Sequence, residues 1–182
     1  KDKKLSTSVF EGAGVKLDRA FGFGNTSQFD PFLLLDDFRN NNPIDYQKGF
    51  PWHPHRGIET ITYILKGSVE HKDSLGNSGE LSDGDLQWMT AGSGILHQEM
   101  PKGNNVGQMH GFQLWANLPS SLKMTTPNYQ DVKSSEIKVI KDDDGTIIKI
   151  VIGNYKGYTG VIHGIASNPQ YFDIYVPPNK IK

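Results

Sequence analysis

No cysteine occurs among the 182 residues. That excludes disulfides and thiolate ligands, so any metal must be held by nitrogen and oxygen. No apolar run approaches the roughly 18 residues of a membrane-spanning helix, and no apolar segment of a signal peptide is visible. The expected compartment is therefore the cytoplasm, with no membrane contact. A basic surplus is missing as well: 19 Lys and Arg stand against 20 Asp and Glu, for a formal net charge of −1. Nucleic-acid binders usually carry such a surplus, so direct nucleic-acid binding is not expected. Helical periodicity is absent too, since no stretch repeats apolar residues every 3.6 positions over three turns. The best helical segment is short, around Pro119 to Met124. The start, Lys1-Asp2-Lys3-Lys4, is basic but brief and reads as a solvated terminus. It opens on Lys rather than Met, so trimming at this end is expected.

What the chain does contain is short β-rich segments punctuated by 20 glycines and 10 prolines. "TITYILKG" (60–67), "SVEHKD" (68–73), "DLQWMTAG" (85–92), "MHGFQLWANL" (109–118), "IKVIKD" (137–142), "TIIKIVIG" (146–153) and "GVIHGIAS" (160–167) read as strands. They are rich in β-branched and aromatic residues and end at Gly, Asn or Asp. "SLGNSG" (74–79) and "DDDG" (142–145) have the composition of hairpin loops. Apolar residues make up only 36% of the chain, as expected where strands show one face to water. Many closely spaced strands predict an all-β fold, a closed barrel or sandwich. The length suits one domain of ordinary size, with or without a piece of another.

"FPWHPHRG" (50–57) places His53 and His55 one residue apart. Side chains alternate along a strand, so both point the same way, about 6.6 Å apart at Cα. Imidazoles at that spacing can lean onto one ion through bonds of roughly 2.1 Å. Pro54 suits a strand entry or edge, where no N–H is needed. Taken alone, a His-x-His is weak evidence, and surface or structural histidines explain it better than a metal site. A second pair raises its weight: "GDLQWMTAGSGILHQEMP" (84–101) runs through a strand and a glycine turn to His97 and Glu99, again on one face. Two such pairs from two strands make a set of three histidines and one carboxylate. Nitrogen and oxygen ligands of this kind suit Fe, Mn, Ni, Cu or Zn.

"GFPWHPHRGIETITYILKG" resembles the first motif of the cupin superfamily, with slightly altered glycine spacing, and "GDLQWMTAGSGILHQE" resembles the second. The finer resemblance is to pirin and the pirin-like proteins. It is carried in order by "FDPFLLLDDF" (29–38), "HPHRGIETITYILKG", "GDLQWMTAGSGILHQE" and "HGFQLWANLP" (110–119), over roughly residues 10 to 160. The resemblance implies a cupin fold, a jelly-roll-like double-stranded β-helix. It implies metal ligation by His53, His55, His97 and Glu99. Many cupins instead use the glutamate of the first motif, here Glu59. The pirin arrangement leaves Glu59 as a pocket residue or a partner of a group behind the ligands. It also implies Fe(II), with Zn, Mn, Ni, Cu or another divalent metal able to substitute.

The activity implied by the resemblance is dioxygenation of flavonols such as quercetin, in which metal, O2 and a small aromatic substrate meet. Glu99 is then the general base that takes the 3-hydroxyl proton. A second implied role is non-catalytic: a redox-responsive metal-binding regulator whose affinity for a protein partner follows the oxidation state. Arg56 is expected to be either a plain surface residue or the partner of a carboxylate near the site. Phe50 and Trp52 are expected to pack at the barrel mouth or to wall an aromatic pocket. His71 reads as exposed, His110 as a core residue or one behind the ligands, and His163 as structural within a late strand. Gly22-Phe23-Gly24 reads as a turn. The pattern predicts a cupin domain over 1–160. The tail at 161–182 resembles only the opening strand of a second barrel. An apolar strand without a partner is a poor edge to leave in water, so a homodimer or protein partner is expected.

Overall fold

The computed structural model describes residues 5–181, so the basic run at 1–4 lies outside the described residues. The chain divides into two compact units, one ending at Asp131 and one starting at Val132. The first contains β1 (Thr7–Glu11), β2 (Val15–Phe21), β3 (Phe32–Asp37), β4 (Phe50–His55), β5 (Ile58–Lys66) and β6 (Val69–Asp73). It continues with β7 (Ser78–Leu81), β8 (Leu86–Thr90), β9 (Ile95–Pro101), β10 (His110–Asn117) and β11 (Asn128–Val132), the last reaching the division.

These strands build two sheets. One has seven strands in the order β1-β2-β3-β10-β5-β8-β11, the other four in the order β4-β9-β6-β7. Neighbouring strands pair antiparallel. The all-β expectation therefore holds. β5 is central and is buried on both faces from Glu59 to Ile64, which is why its sequence shows no clean polar alternation. Thr60, Thr62 and Ile64 face the four-stranded sheet, and Ile64 packs there with Val69 and Leu81 in a cluster that includes Val15, Leu17, Phe38, Tyr46 and Met109. Burying one such side chain contributes about 1.5–3 kcal/mol.

Local chemistry sets the turns. Between β6 and β7 the Asp73 carboxylate accepts the backbone N–H groups of Leu75 and Asn77, both at 2.8 Å, and the Asn77 side-chain amide at 2.7 Å. Pro119 to Met124 holds a single 3-10 turn, Ser120–Leu122. The Gly22-Phe23-Gly24 stretch is a turn after β2. Among the described residues no helix is long and apolar enough to cross a membrane.

The second unit contains β12 (Lys138–Lys141), β13 (Ile147–Ile152), the short hairpin β14 (Asn154–Tyr155) and β15 (Tyr158–Thr159), and β16 (Tyr171–Tyr175). Its three-stranded sheet runs β12-β13-β16. The sequence-based boundary at 160/161 falls inside this unit, and β13 and β16, which pair with each other, lie on either side of it. The strand expected at 160–167 does not form. β13 is already paired on both edges, by β12 and β16, which leaves no open ladder for this segment. It is held by isolated bonds, Gly160 N–H to Gly153 at 2.9 Å and Ile162 N–H to Val151 at 3.3 Å, and His163 is exposed.

Gly92 opens the turn after β8 with φ +51°, and a Cβ there would collide with the carbonyl oxygen of Thr125. Gly92→Ala is expected to lower the urea midpoint by the equivalent of about 2 kcal/mol or more, measured by equilibrium unfolding followed by tryptophan fluorescence.

Candidate metal centre

The centre is built by register. In β4 and β9, His53 stands opposite His97, while Phe50 stands opposite Glu99. Three residues on β4 thus match two on β9. The extra residue is a β-bulge, which bends the strand and re-aims its side chains. His55 follows two positions after His53 and is buried. On the other edge of β9, Asp73 and His71 of β6 stand opposite His97 and Glu99. Gly49 lets β4 enter this closely: at φ +62°, a Cβ would sit 2.7 Å from the Glu99 carbonyl oxygen.

The three imidazoles converge. One nitrogen from each of His53, His55 and His97 lies within 4.8 Å of the other two. The Nε2 atoms of His53 and His55 are 3.1 Å apart, close to the ~3.0 Å edge of an octahedron with 2.1 Å bonds. The Nδ1 of His53 lies 2.8 Å from the Pro51 carbonyl. A carbonyl only accepts, so Nδ1 carries the hydrogen and Nε2 keeps its lone pair. Both ring nitrogens of His97 are buried with no hydrogen-bond partner, although burying a polar atom unpaired is costly. A cation between the rings would satisfy that lone pair, and the residues present fit a divalent metal ion. Burial, followed by the neighbouring His97 and His53, pushes the His55 pKa down to about 3. Burial lowers His97 as well. Neutral imidazole is the form that binds metal.

Glu99 lies beside the triad, its Oε2 4.0 Å from His97 Nε2. Burial pushes its carboxyl up, but the neighbouring His97 and the Thr62 hydroxyl outweigh it and hold the pKa below the usual carboxylate value. Thr62 donates to Oε1 at 2.9 Å, and the Gln113 amide donates to Oε2 at 3.2 Å and Oε1 at 3.4 Å. Glu59, the other carboxylate considered from the sequence, does not reach the triad. Three residues before Thr62 on one strand, it projects from the opposite face of the sheet, where Thr90 donates to it at 2.8 Å.

A cavity of about 280 Å3 opens beside His53, His55 and Glu99, walled by Leu34, Phe38, Phe50 and Trp115, with Arg19 and Asp36 also at its lining. Arg19 donates twice to Asp36 at 2.8 Å. Phe50 lines this cavity, but Trp52, pointing to the other face of β4, is 53% exposed. Arg56 is exposed and donates to the Met124 sulfur at 3.2 Å. His110 lies outside the cluster, 3.9 Å from Asp37. His71 overturns its expectation: it is 5% exposed, with its Nε2 3.1 Å from the Gln87 amide. Its strand is flanked by β7 and β9, so a position near a hairpin loop is still interior. Sequence reading missed Thr62 and Gln113. They are register partners on β5 and β10, and that pairing is the one signal that sets them together opposite Glu99.

Comparison with known proteins bears on the family and the fold. The family model described as Pirin matches residues 14–116. A pirin-like protein of Caulobacter vibrioides is 46% identical over 172 residues, covering 94% of this chain and 62% of the relative. A structure of quercetin 2,3-dioxygenase from Acinetobacter baumannii superposes with a TM-score of 0.79 at 37% identity, covering 88% of this chain and 58% of that one. The bacterial pirin YhhW of Escherichia coli in complex with nickel(II) superposes with a TM-score of 0.57 at 25% identity, covering 80% of this chain and 67% of that one. The chain spans 62% and 60% of the length of the first two curated relatives.

Nickel(II) is a convenient probe of the cluster. His97→Ala is expected to abolish stoichiometric nickel binding in a chelator-competition titration, whereas Glu59→Gln should leave the affinity within about threefold of the parent. Near-stoichiometric nickel in the His97 variant would show that the cluster is not the site.

Proposed function

The chain belongs to the pirin family, and we propose that it is an Fe(II)-dependent dioxygenase acting on flavonols such as quercetin. The observation that carries this reading is three imidazoles converging beside an aromatic-lined cavity, with the Glu99 carboxylate next to them. The ligands are His53, His55, His97 and Glu99. Set against a fully coordinated structural ion, four ligands leave open positions on an octahedral metal. The Acinetobacter baumannii relative described as a quercetin 2,3-dioxygenase supports the substrate class, and the nickel-bound relative supports a divalent ion.

A bound ferrous ion supplies a Lewis acid that lowers the pKa of the flavonol 3-hydroxyl and a place for O2. The chain's own residues do the rest. Phe50 and Trp115 offer flat apolar walls for a planar ring system, and that wall excludes bulk water from the reacting centre. Glu99, held ionised, takes the proton from the 3-hydroxyl at its carboxylate. His55 and His97 stay neutral because burial disfavours their charged forms.

The test is direct. Iron-loaded protein is mixed anaerobically with quercetin, O2 is admitted, and the flavonol absorption is followed. The expected outcome is decay of that band with the parent and at least a 100-fold slower decay with His97→Ala, a loss of about 2.7 kcal/mol or more in transition-state stabilisation. Unchanged quercetin beside a fully loaded site removes the enzymatic reading. It leaves a redox-responsive binding protein, whose partner affinity would differ between the ferrous and ferric forms.

A further inference from the structure

The structure assigns to Thr62 and Gln113 the role of positioning residues that select which oxygen of Glu99 faces the metal; this rests on the ligand set proposed above. Glu99 leaves β9 and meets the opposite wall of the barrel, where Thr62 and Gln113 stand in register on β5 and β10. Thr62 is 3% exposed and Glu99 5% exposed, so the contact between them is not weakened by competing solvent.

Proton counting fixes the arrangement. The Thr62 hydroxyl has one hydrogen and two acceptors in reach, Glu99 Oε1 at 2.9 Å and Gln113 Oε1 at 3.2 Å. The ionised oxygen is the stronger acceptor and the nearer one, so the hydrogen goes to Glu99. With Gln113 Oε1 turned toward Thr62, its amide nitrogen is directed at the carboxylate, straddling Oε2 at 3.2 Å and Oε1 at 3.4 Å. Oε1 is thereby met by two donors. Oε2 is met by one and keeps a free lone pair on the side of His97, whose Nε2 is 4.0 Å away and has no hydrogen-bond partner.

Both donors are neutral, which matters for the metal. A lysine or arginine at either position would orient the carboxylate equally well while competing with the cation for its charge. A hydroxyl and an amide hold the group still and leave its negative charge available. Glu99 is therefore presented as a monodentate ligand through Oε2, with Oε1 retained on Thr62.

The experiment measures nickel(II) affinity by chelator competition, with the visible d–d spectrum of the loaded protein as a second readout, on the full chain and its variants. Thr62→Val and Gln113→Met should each weaken nickel binding about 10–100-fold and shift the d–d bands, and Thr62→Ser should restore both. In a Glu99→Gln background, Thr62→Val should cause no further loss, because its effect passes through the carboxylate. If Thr62→Val does not fold, Gln113→Met and its combination with Glu99→Gln carry the same cycle. Parental affinity and spectrum in Thr62→Val and Gln113→Met, beside weakened binding in Glu99→Gln, would overturn the positioning role and spare the ligand set. Parental binding and spectrum in Glu99→Gln itself would overturn both.

Discussion

The cross-strand register between β4 and β9 is the constraint on which the rest of the centre depends. With a regular ladder, His53 and His97 could not stand opposite each other while Phe50 stands opposite Glu99. The single extra residue on β4 makes both pairings hold at once, and it places imidazole against imidazole and aromatic against carboxylate. A slip of one residue would send a whole row to the other face, converting a buried histidine cluster into scattered surface polar groups. The tight approach at Gly49 and the neighbouring pairs on β6 keep that register in place.

Burial then gives the imidazoles their chemistry. Desolvation disfavours imidazolium, so His55 and His97 are held neutral, while the carboxylate beside them remains ionised through its hydrogen bonds and neighbours. The same interior that costs free energy to build with polar groups is where a cation would be bound most strongly, since low dielectric strengthens every charge interaction. Phe50 and Trp115 line the cavity beside these groups with apolar surface.

Much of this was legible in the chain itself, for identifiable reasons. His53, His55, His97 and Glu99 are paired at spacing two, and the alternation of a strand converts that spacing into a shared face. The strands of the first unit are marked by β-branched runs and glycine turns. What escaped depends on pairing between distant segments. Thr62 and Gln113 look like ordinary strand residues until β5 and β10 are placed side by side. His71 looked exposed because it sits near a loop, yet β6 has a strand on each edge. Glu59 fell on the wrong face because it is an odd number of positions from Thr62, a parity that is useful only once the inward row is known. The segment at 160–167 has strand composition and no edge left to join.

One contact has a wider meaning. The hydrogen on the His53 ring is fixed by the carbonyl of Pro51, two residues earlier in the same strand. Backbone carbonyls are present whatever side chains a lineage adopts, so the tautomer needed at this position is guaranteed by the entry strand alone. The His53 ring therefore turns its Nε2 lone pair toward His55 and His97 through a contact made within its own strand.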